Sequence, residues 1–340
     1  MLQYYQSMTN ARTIVIVGIF FIIGITGGWQ AKTYTINKSF ATTREIHSGG
    51  YRFINPLLQC EFAPENSPPS LAALENKLHT FIDKKISSQD ATHISLYFRD
   101  LNNGPWFGIN ENENFSPASL LKVPLMIAYY KEAEAKPESL KQEIPFLHIE
   151  PGDDNQITNF KPSQAIVLGQ TYTIDELIKY MIVYSDNDSK NLLALNLDDA
   201  AFIHSYRDLG IDVPDVRKPE DFMSVKSYAS FFRILYNASY LSREYSEKAL
   251  SLLSQSEFKD GIVKKLPPNT LISHKFGERK IEPGGVLQLH DCGIIYQPQR
   301  PYLLCIMTRG GNFSKLSAII ADTSDLVYKA TSSSDNAQNQ

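Results

Sequence analysis

Strand-forming and helix-forming segments are segregated along this chain, and that order constrains its fold more than any single motif. His93–Asp100 (HISLYFRD) and Gly104–Asn110 (GPWFGIN) are rich in aromatic and β-branched residues and meet at Asn102-Asn103-Gly104, the pattern of a hairpin. Strand character then lapses until Leu271. Leu271–Phe276, Val286–Gln297 and Tyr302–Arg309 are three further strand candidates. Helical patterns fill the interval: Ser116 to about Ala135, Thr173–Tyr184 with a Thr173/Glu176 capping box, Leu192–Leu197, and two within Val225–Leu253. A helix is expected at Ser70–Ile86, where Leu71, Leu74, Leu78, Phe81 and Ile82 share a face, and another at Leu316–Tyr328. The two strand groups bury their apolar faces by pairing with each other. The expected fold is therefore α/β of the α+β type. It has one antiparallel five-stranded sheet, flanked by the terminal helices, with an all-helical region inserted in the middle. A site is expected where that region meets the sheet.

The remainder divides simply. The chain of 340 residues is long enough for one large core or two small ones, and a net charge of −4 without a basic run speaks against nucleic acid. Thr13–Trp29 is apolar, follows Arg12, and lacks a small-x-small cleavage site straight after it. Residues 1–31 are therefore read as a signal-anchor, with a cleaved signal peptide and a buried helix as lesser alternatives. Large C-terminal domains translocate regardless of flanking charge, so the expected place is the extracytoplasmic face of the cytoplasmic membrane, as a monomer on a single-pass anchor. Residues 32–69 read as a linker lying against the domain through Tyr51, Phe53, Ile54 and Leu57. Residues 70–330 form the domain, and 331–340 a polar, disordered tail. Cys292 and Cys305 are nearly equidistant from the turn Gln297–Pro301 and can face each other across a hairpin; two buried thiols is the plainer expectation. Seven histidines (47, 79, 93, 148, 204, 274, 290) show no metal-ligand spacing, so neither a metal nor a cofactor is expected.

One helix start carries chemistry. In Phe115-Ser-Pro-Ala-Ser119-Leu-Leu-Lys122-Val-Pro-Leu-Met126, Ser116 is a candidate N-cap and Pro117 suits the first turn. Pro124 should kink the helix. Ser119 and Lys122 are one turn apart. The neighbours of Lys122 are apolar, which favours the neutral amine, a base able to activate a serine hydroxyl. The same spacing at Ser256 and Lys259 stands in a polar segment and reads as chance. Two further motifs choose between them: Ser185-Asp186-Asn187, directly after a helix, and Lys275-Phe276-Gly277, on a strand.

With these three in order, residues 70 to 330 resemble the class A β-lactamase-like serine hydrolases, within the β-lactamase and penicillin-binding protein superfamily. Pro117-Ala-Ser-Leu-Leu-Lys-Val-Pro124 and Met181-Ile-Val-Tyr-Ser-Asp-Asn187 extend the likeness beyond the bare motifs. The resemblance implies that Ser119 attacks an amide carbonyl and that Ser185 relays a proton to the leaving nitrogen. Lys122 is either the base or a charged lysine bonded to Ser119 and Asn187. Asn187, Lys275 and Gly277 would bind substrate, with Asp186 structural, and the backbone N–H groups of Ser119 and Glu278 would form the oxyanion hole. His274 should point to the far face of its strand.

Two departures qualify the likeness. Phe276 replaces a hydroxyl residue that binds the substrate carboxylate in the family. The Glu-x-x-Leu-Asn of class A enzymes, whose glutamate activates the deacylating water, is missing between Asn187 and Lys275. The segment Asp198–Asp221 that should hold it is roughly a dozen residues too short for that family loop. Asp212, Asp215, Glu220 and Asp221 are the nearest substitutes. The readings left open are a β-lactamase, a D,D-peptidase-like enzyme acting on cell-wall peptide with slow β-lactam deacylation, and a low-turnover binding or scaffold protein.

Overall fold

A computed structural model describes residues 42–63, 69–102, 104–148, 159–208, 211, 221–281, 286–298 and 300–338. Two units are distinguished. Met1–Thr43 with Phe62–Ser67 is the first, described only at residues 42–43 and 62–63, so the expected signal-anchor lies outside the described residues. Arg44–Glu61 with Pro68–Gln340 is the second and contains the fold described below.

The strands are β1 (Thr42–His47), β2 (Leu57–Ala63), β3 (His93–Asp100), β4 (Trp106–Ile109), β5 (Asn114–Phe115), β6 (Glu143–Pro145), β7 (Thr171–Thr173), β8 (Met223–Ser224), β9 (Ile272–Ile281), β10 (Val286–Ile295) and β11 (Tyr302–Gly310). The helices are α1 (Pro69–Ser87), α2 (Lys122–Ala135), α3 (Ile174–Val183), α4 (Asn187–Asn196), α5 (Asp199–Asp208), α6 (Val225–Tyr236), α7 (Arg243–Leu253) and α8 (Phe313–Gln338). The central sheet runs β4-β3-β11-β10-β9, antiparallel throughout, with β9 on an edge. Strands from both ends of the chain pair as expected: β3 lies beside β11, with Leu96 opposite Ile306.

Both faces of this sheet are covered. On one, Ile94, Leu96 and Phe98 of β3 and Leu304 and Ile306 of β11 pack in one core with Leu78 of α1 and Leu316 and Ile320 of α8. On the other, Tyr97, Leu303, Cys305 and Met307 share a core with the inserted helices. The alternation follows the two-residue period of a strand, and double-sided burial explains why these strands read as nearly continuous apolar runs.

Several sequence expectations are corrected. Residues 116–135 are not one helix: a 3₁₀ turn, Ala118–Leu121, precedes α2. Pro124 is therefore the third residue of α2, where its missing N–H is one that a first helical turn leaves unbonded anyway, so it has no kink to make. Ser116 does not cap. The expected packing of residues 32–69 against the domain holds over the described part at Phe53 and Ile54, and two strands, β1 and β2, lie within this stretch. Phe53 and Ile54 are buried, the N–H groups of Arg52, Phe53 and Ile54 donate to the Glu247 carboxylate, and Asn55 N–H donates to Tyr236 O at 2.8 Å. Glu45 forms a buried ion pair with Arg99. Of the two further anchors expected there, Leu57 is partly buried and Tyr51 is exposed. The tail assigned at 331–340 is helical to Gln338, as a continuation of α8. Cys292 and Cys305 are direct cross-strand partners joined in a disulfide, not free thiols, because the β10–β11 register sets them opposite each other.

Candidate active site

The turn that carries Ser119 is held from three sides. Ser116 N–H donates to Gln288 Oε1 at 3.0 Å. His290 Nδ1 accepts from Thr308 N–H at 3.2 Å, so Nε2 carries the ring proton and donates to Ser116 O at 3.0 Å. Burial lowers the His290 pKa to about 4, which keeps this ring neutral. Tyr228 Oη–H donates to Leu120 O at 3.0 Å, and Leu120 N–H to Pro117 O at 2.9 Å. Ala118 is forced to a φ of +47°, a conformation that an alanine holds only where its surroundings dictate it. Ser119 is thereby presented partly exposed, and among the described residues its Oγ has no hydrogen-bond partner.

Strand β9 passes directly beneath. A Cβ on Gly277 would stand 2.7 Å from Pro117 O and 3.0 Å from Leu120 Cγ. Glycine is required here for close approach of strand and turn. Glu278 is the next residue along the strand.

The opposite wall comes from the loop between α3 and α4. Ser185 has a φ of +57°, which lets the chain reverse within one residue. Asp186 caps α4, accepting from Ser189 N–H at 2.9 Å and from the Ser189 hydroxyl. Buried Lys122 reaches this loop: its Nζ donates to Ser185 O at 2.5 Å, to Asn187 Oδ1 at 2.8 Å and to Ser185 Oγ at 3.2 Å. Buried Lys275 donates to the same Ser185 Oγ at 2.9 Å and to Phe276 O at 3.0 Å. Ser119's neighbour Lys122, Ser185, Asn187 and Lys275 thus converge from distant places in the chain.

Electrostatics follow from that convergence. Burial, and then the charge of Lys275, push Lys122 well below the usual lysine range, against the pull of Asp186. Burial lowers Lys275 to about 7, although Asp291 and Glu278 raise it. Ser185 Oγ receives N–H groups from both lysines, which uses its two lone pairs and leaves its own proton to point elsewhere. Of the two bonds expected of a charged Lys122, that to Asn187 is present, and among the described residues that to Ser119 is absent. Such catalytic contacts often tighten only with substrate in place.

Other candidates are placed elsewhere. Asp221 is engaged by Gln288 Nε2 at 2.9 Å and Arg309 Nη2 at 2.8 Å, while Asp212, Asp215 and Glu220 lie outside the described residues. His274 pairs with Asp291 at 3.0 Å in the buried interior. At the second Ser-x-x-Lys, Lys259 bonds the carbonyl of Ser256, not its hydroxyl. Among the described residues no group of histidine, cysteine and carboxylate side chains is arranged to hold a metal ion. The positioning residues Gln288, His290 and Tyr228 were not recognised from sequence; they are ordinary polar residues within apolar runs, and only the packing shows what they touch.

A family model described as the Beta-lactamase enzyme family matches residues 73–331. The chain belongs to that family. Solved structures share the fold. A β-lactamase from Chitinophaga pinensis is 19% identical over 75% of this chain and 100% of its own, with a TM-score of 0.63. A class A β-lactamase representative from Bacteroides cellulosilyticus is 18% identical over 76% and 99%, with a TM-score of 0.63. A mutant of PBP-A, solved as an acyl-enzyme complex with penicillin G, is 20% identical over 78% and 99%, with a TM-score of 0.62. No curated protein matches the chain. The family makes this chain a β-lactamase-like enzyme, and the solved structures show that it has their fold.

Proposed function

We propose that the protein acylates itself at Ser119 on a β-lactam or a related amide. The observation that carries this is the convergence on Ser185 Oγ of Lys122, one turn from Ser119 along the chain, and Lys275. In this reading Lys122 first gives up to solvent one of the three protons it donates, and the neutral amine then takes the Ser119 proton as Ser119 Oγ attacks the carbonyl carbon. The developing oxyanion is bonded by the N–H groups of Ser119 and Glu278. The Ser185 proton goes to the leaving nitrogen as Lys122 passes the proton it took to Ser185 Oγ, the C–N bond breaks, and the acyl group stays on Ser119 Oγ. Asn187, whose Oδ1 is held by Lys122, turns its amide N–H to the substrate. The N-terminal apolar stretch would hold the domain on the extracytoplasmic face of the membrane.

A penicillin-binding, slowly deacylating mode has its own support. Asp221, the described carboxylate nearest in sequence to the missing class A glutamate, is committed to Arg309 and Gln288. The test is intact-mass measurement of the full chain with a penicillin over time. A long-lived adduct on Ser119, absent in Ser119→Ala, is the expected result. Rapid turnover that depends on Ser119 would favour a β-lactamase, and no adduct would sink the acyl-enzyme reading.

A further inference from the structure

A cleft of about 310 Å³ lies between α3 and α7, with Asp175 and Lys179 on one wall, Lys248, Ser251 and Leu252 on the other, and Tyr130 of α2 between them. Its volume is at the lower end for small-molecule sites. The chemistry proposed for Ser119 does not use it. Asp175 stands near the start of α3 and Ser185 beyond its end, so roughly 12 Å of helix, at 1.5 Å per residue, lies between them. Tyr130 is fully buried, with the Tyr245 ring at 5.4 Å and Lys248 Nζ 5.3 Å from its centroid. Among the described residues its hydroxyl has no hydrogen-bond partner. Burial, and then the charge of Asp175, hold the phenol in its protonated form, so the cleft is lined by a donor without an acceptor, within electrostatic reach of Asp175. A buried hydroxyl left in that state is costly unless something supplies the partner. Asp175 Oδ1 accepts from Lys248 Nζ at 2.6 Å, and the carboxylate keeps lone pairs for a further donor. Glu176, also on the α3 wall, is taken up by the N–H and hydroxyl of Thr173, both at 2.8 Å. The two carboxylates and the two ammonium groups of the cleft balance, so it favours neither an anion nor a cation.

We propose that the cleft between α3 and α7 is a second binding site, for a small uncharged amide carried on an apolar ring: the amide carbonyl accepts from the Tyr130 hydroxyl, an amide N–H donates to the Asp175 carboxylate, and the ring lies against Leu252. Such a ligand satisfies both groups at once. A carboxylate of the same shape has no N–H to offer and stands as a like charge beside Asp175. The site is independent of the acyl-enzyme reading, since no residue in it belongs to the group around Ser119.

The experiment titrates the full chain with benzamide and with benzoate, followed by ligand-detected NMR. Saturable binding of benzamide in the millimolar range or tighter, and weaker binding of benzoate, is the expected result; no saturable binding of benzamide, or benzoate binding as tightly, overturns the proposal. Tyr130→Phe keeps the ring and removes only the hydroxyl, so it should weaken benzamide about fivefold or more and leave Tm unchanged. Undiminished affinity overturns the proposal, as does a Tm lowered by more than about 2 °C, which would report a partner for the hydroxyl within the protein. Ser251→Trp, which fills the cleft from its partly exposed wall, should abolish binding and keeps the test decisive if Tyr130→Phe does not fold; binding that survives it overturns the proposal. Ser119→Ala should bind benzamide as the parent does. A loss of affinity there would place the amide at Ser119 and overturn the second site, whereas unchanged affinity supports it whether or not Ser119 forms an adduct with a penicillin.

Discussion

Gly277→Ala tests the geometry on which the site depends. The added methyl would stand 2.7 Å from Pro117 O, 3.0 Å from Leu120 Cγ and 3.1 Å from Leu120 N, so two of its three nearest neighbours are backbone atoms and cannot swing aside. Ordinary C···O contacts begin at about 3.3 Å, so strand and turn must part by roughly 0.6 Å. Forcing a methyl group into such a contact costs about 1–3 kcal/mol. For a domain of this size each kcal/mol lowers Tm by about 2–4 °C. The larger effect should fall on chemistry. The Ser119 and Glu278 N–H groups sit on the two elements being separated, and since a 1 Å misplacement costs about a hundredfold, a shift of this size should slow acylation about tenfold. Thermal denaturation and the rate of Ser119 adduct formation, measured on the same preparation, read the two effects. A variant with unchanged Tm and unchanged acylation would show that strand and turn do not meet. A lowered Tm with wild-type acylation would refute the oxyanion assignment.

Four further outcomes are expected. The Lys275 ammonium, lowered by burial to about 7 against the raising effects of Asp291 and Glu278, carries its charge below that pH and loses it above, so acylation should decline as pH rises through about 7; in Lys275→Arg a pH–rate profile should show the decline moved beyond the accessible range. Burial raises Glu45, but the His47 hydrogen bond and the Arg99 charge outweigh it and leave the pKa at about 2 rather than the ordinary 4.5, so the stability this group contributes is present above pH 4.5 and lost as pH falls towards 2. Glu45→Gln, by stranding Arg99, should cost about 3–5 kcal/mol near neutral pH, with the gap to the parent closing over that acid window in urea titrations. Asp186→Ala should cost about 1–2 kcal/mol through loss of the α4 cap, measured by denaturant unfolding. Asp221→Asn should leave the lifetime of the Ser119 adduct unchanged in a mass time course, because its carboxylate is engaged by Arg309 and Gln288; a longer lifetime would make it the deacylating base after all.

The sequence by itself determined the class of fold and which residues to look for in the candidate site. Apolar strand runs at both ends of the chain can be buried in few ways, and a single antiparallel sheet with helices on either side is what they form. Ser119, Lys122, Ser185, Asn187 and Lys275 were legible because each stands in a short motif whose residue types the chemistry restricts. Only the tertiary structure decided how those groups are held. The left-handed backbone at Ala118 and Ser185 arises from long-range contacts and leaves no mark in a non-glycine sequence. Gln288, His290 and Tyr228 act through hydrogen bonds to turns 172, 174 and 108 residues away. In residues 32–69 the apolar anchors Phe53 and Ile54 were legible, but not the Glu247 carboxylate on α7 that accepts from the N–H groups of Arg52, Phe53 and Ile54, an interaction without side-chain periodicity. Local pattern reports which face of an element is apolar; it carries no information about which distant polar atom will satisfy a buried one, and that pairing is what shapes this site.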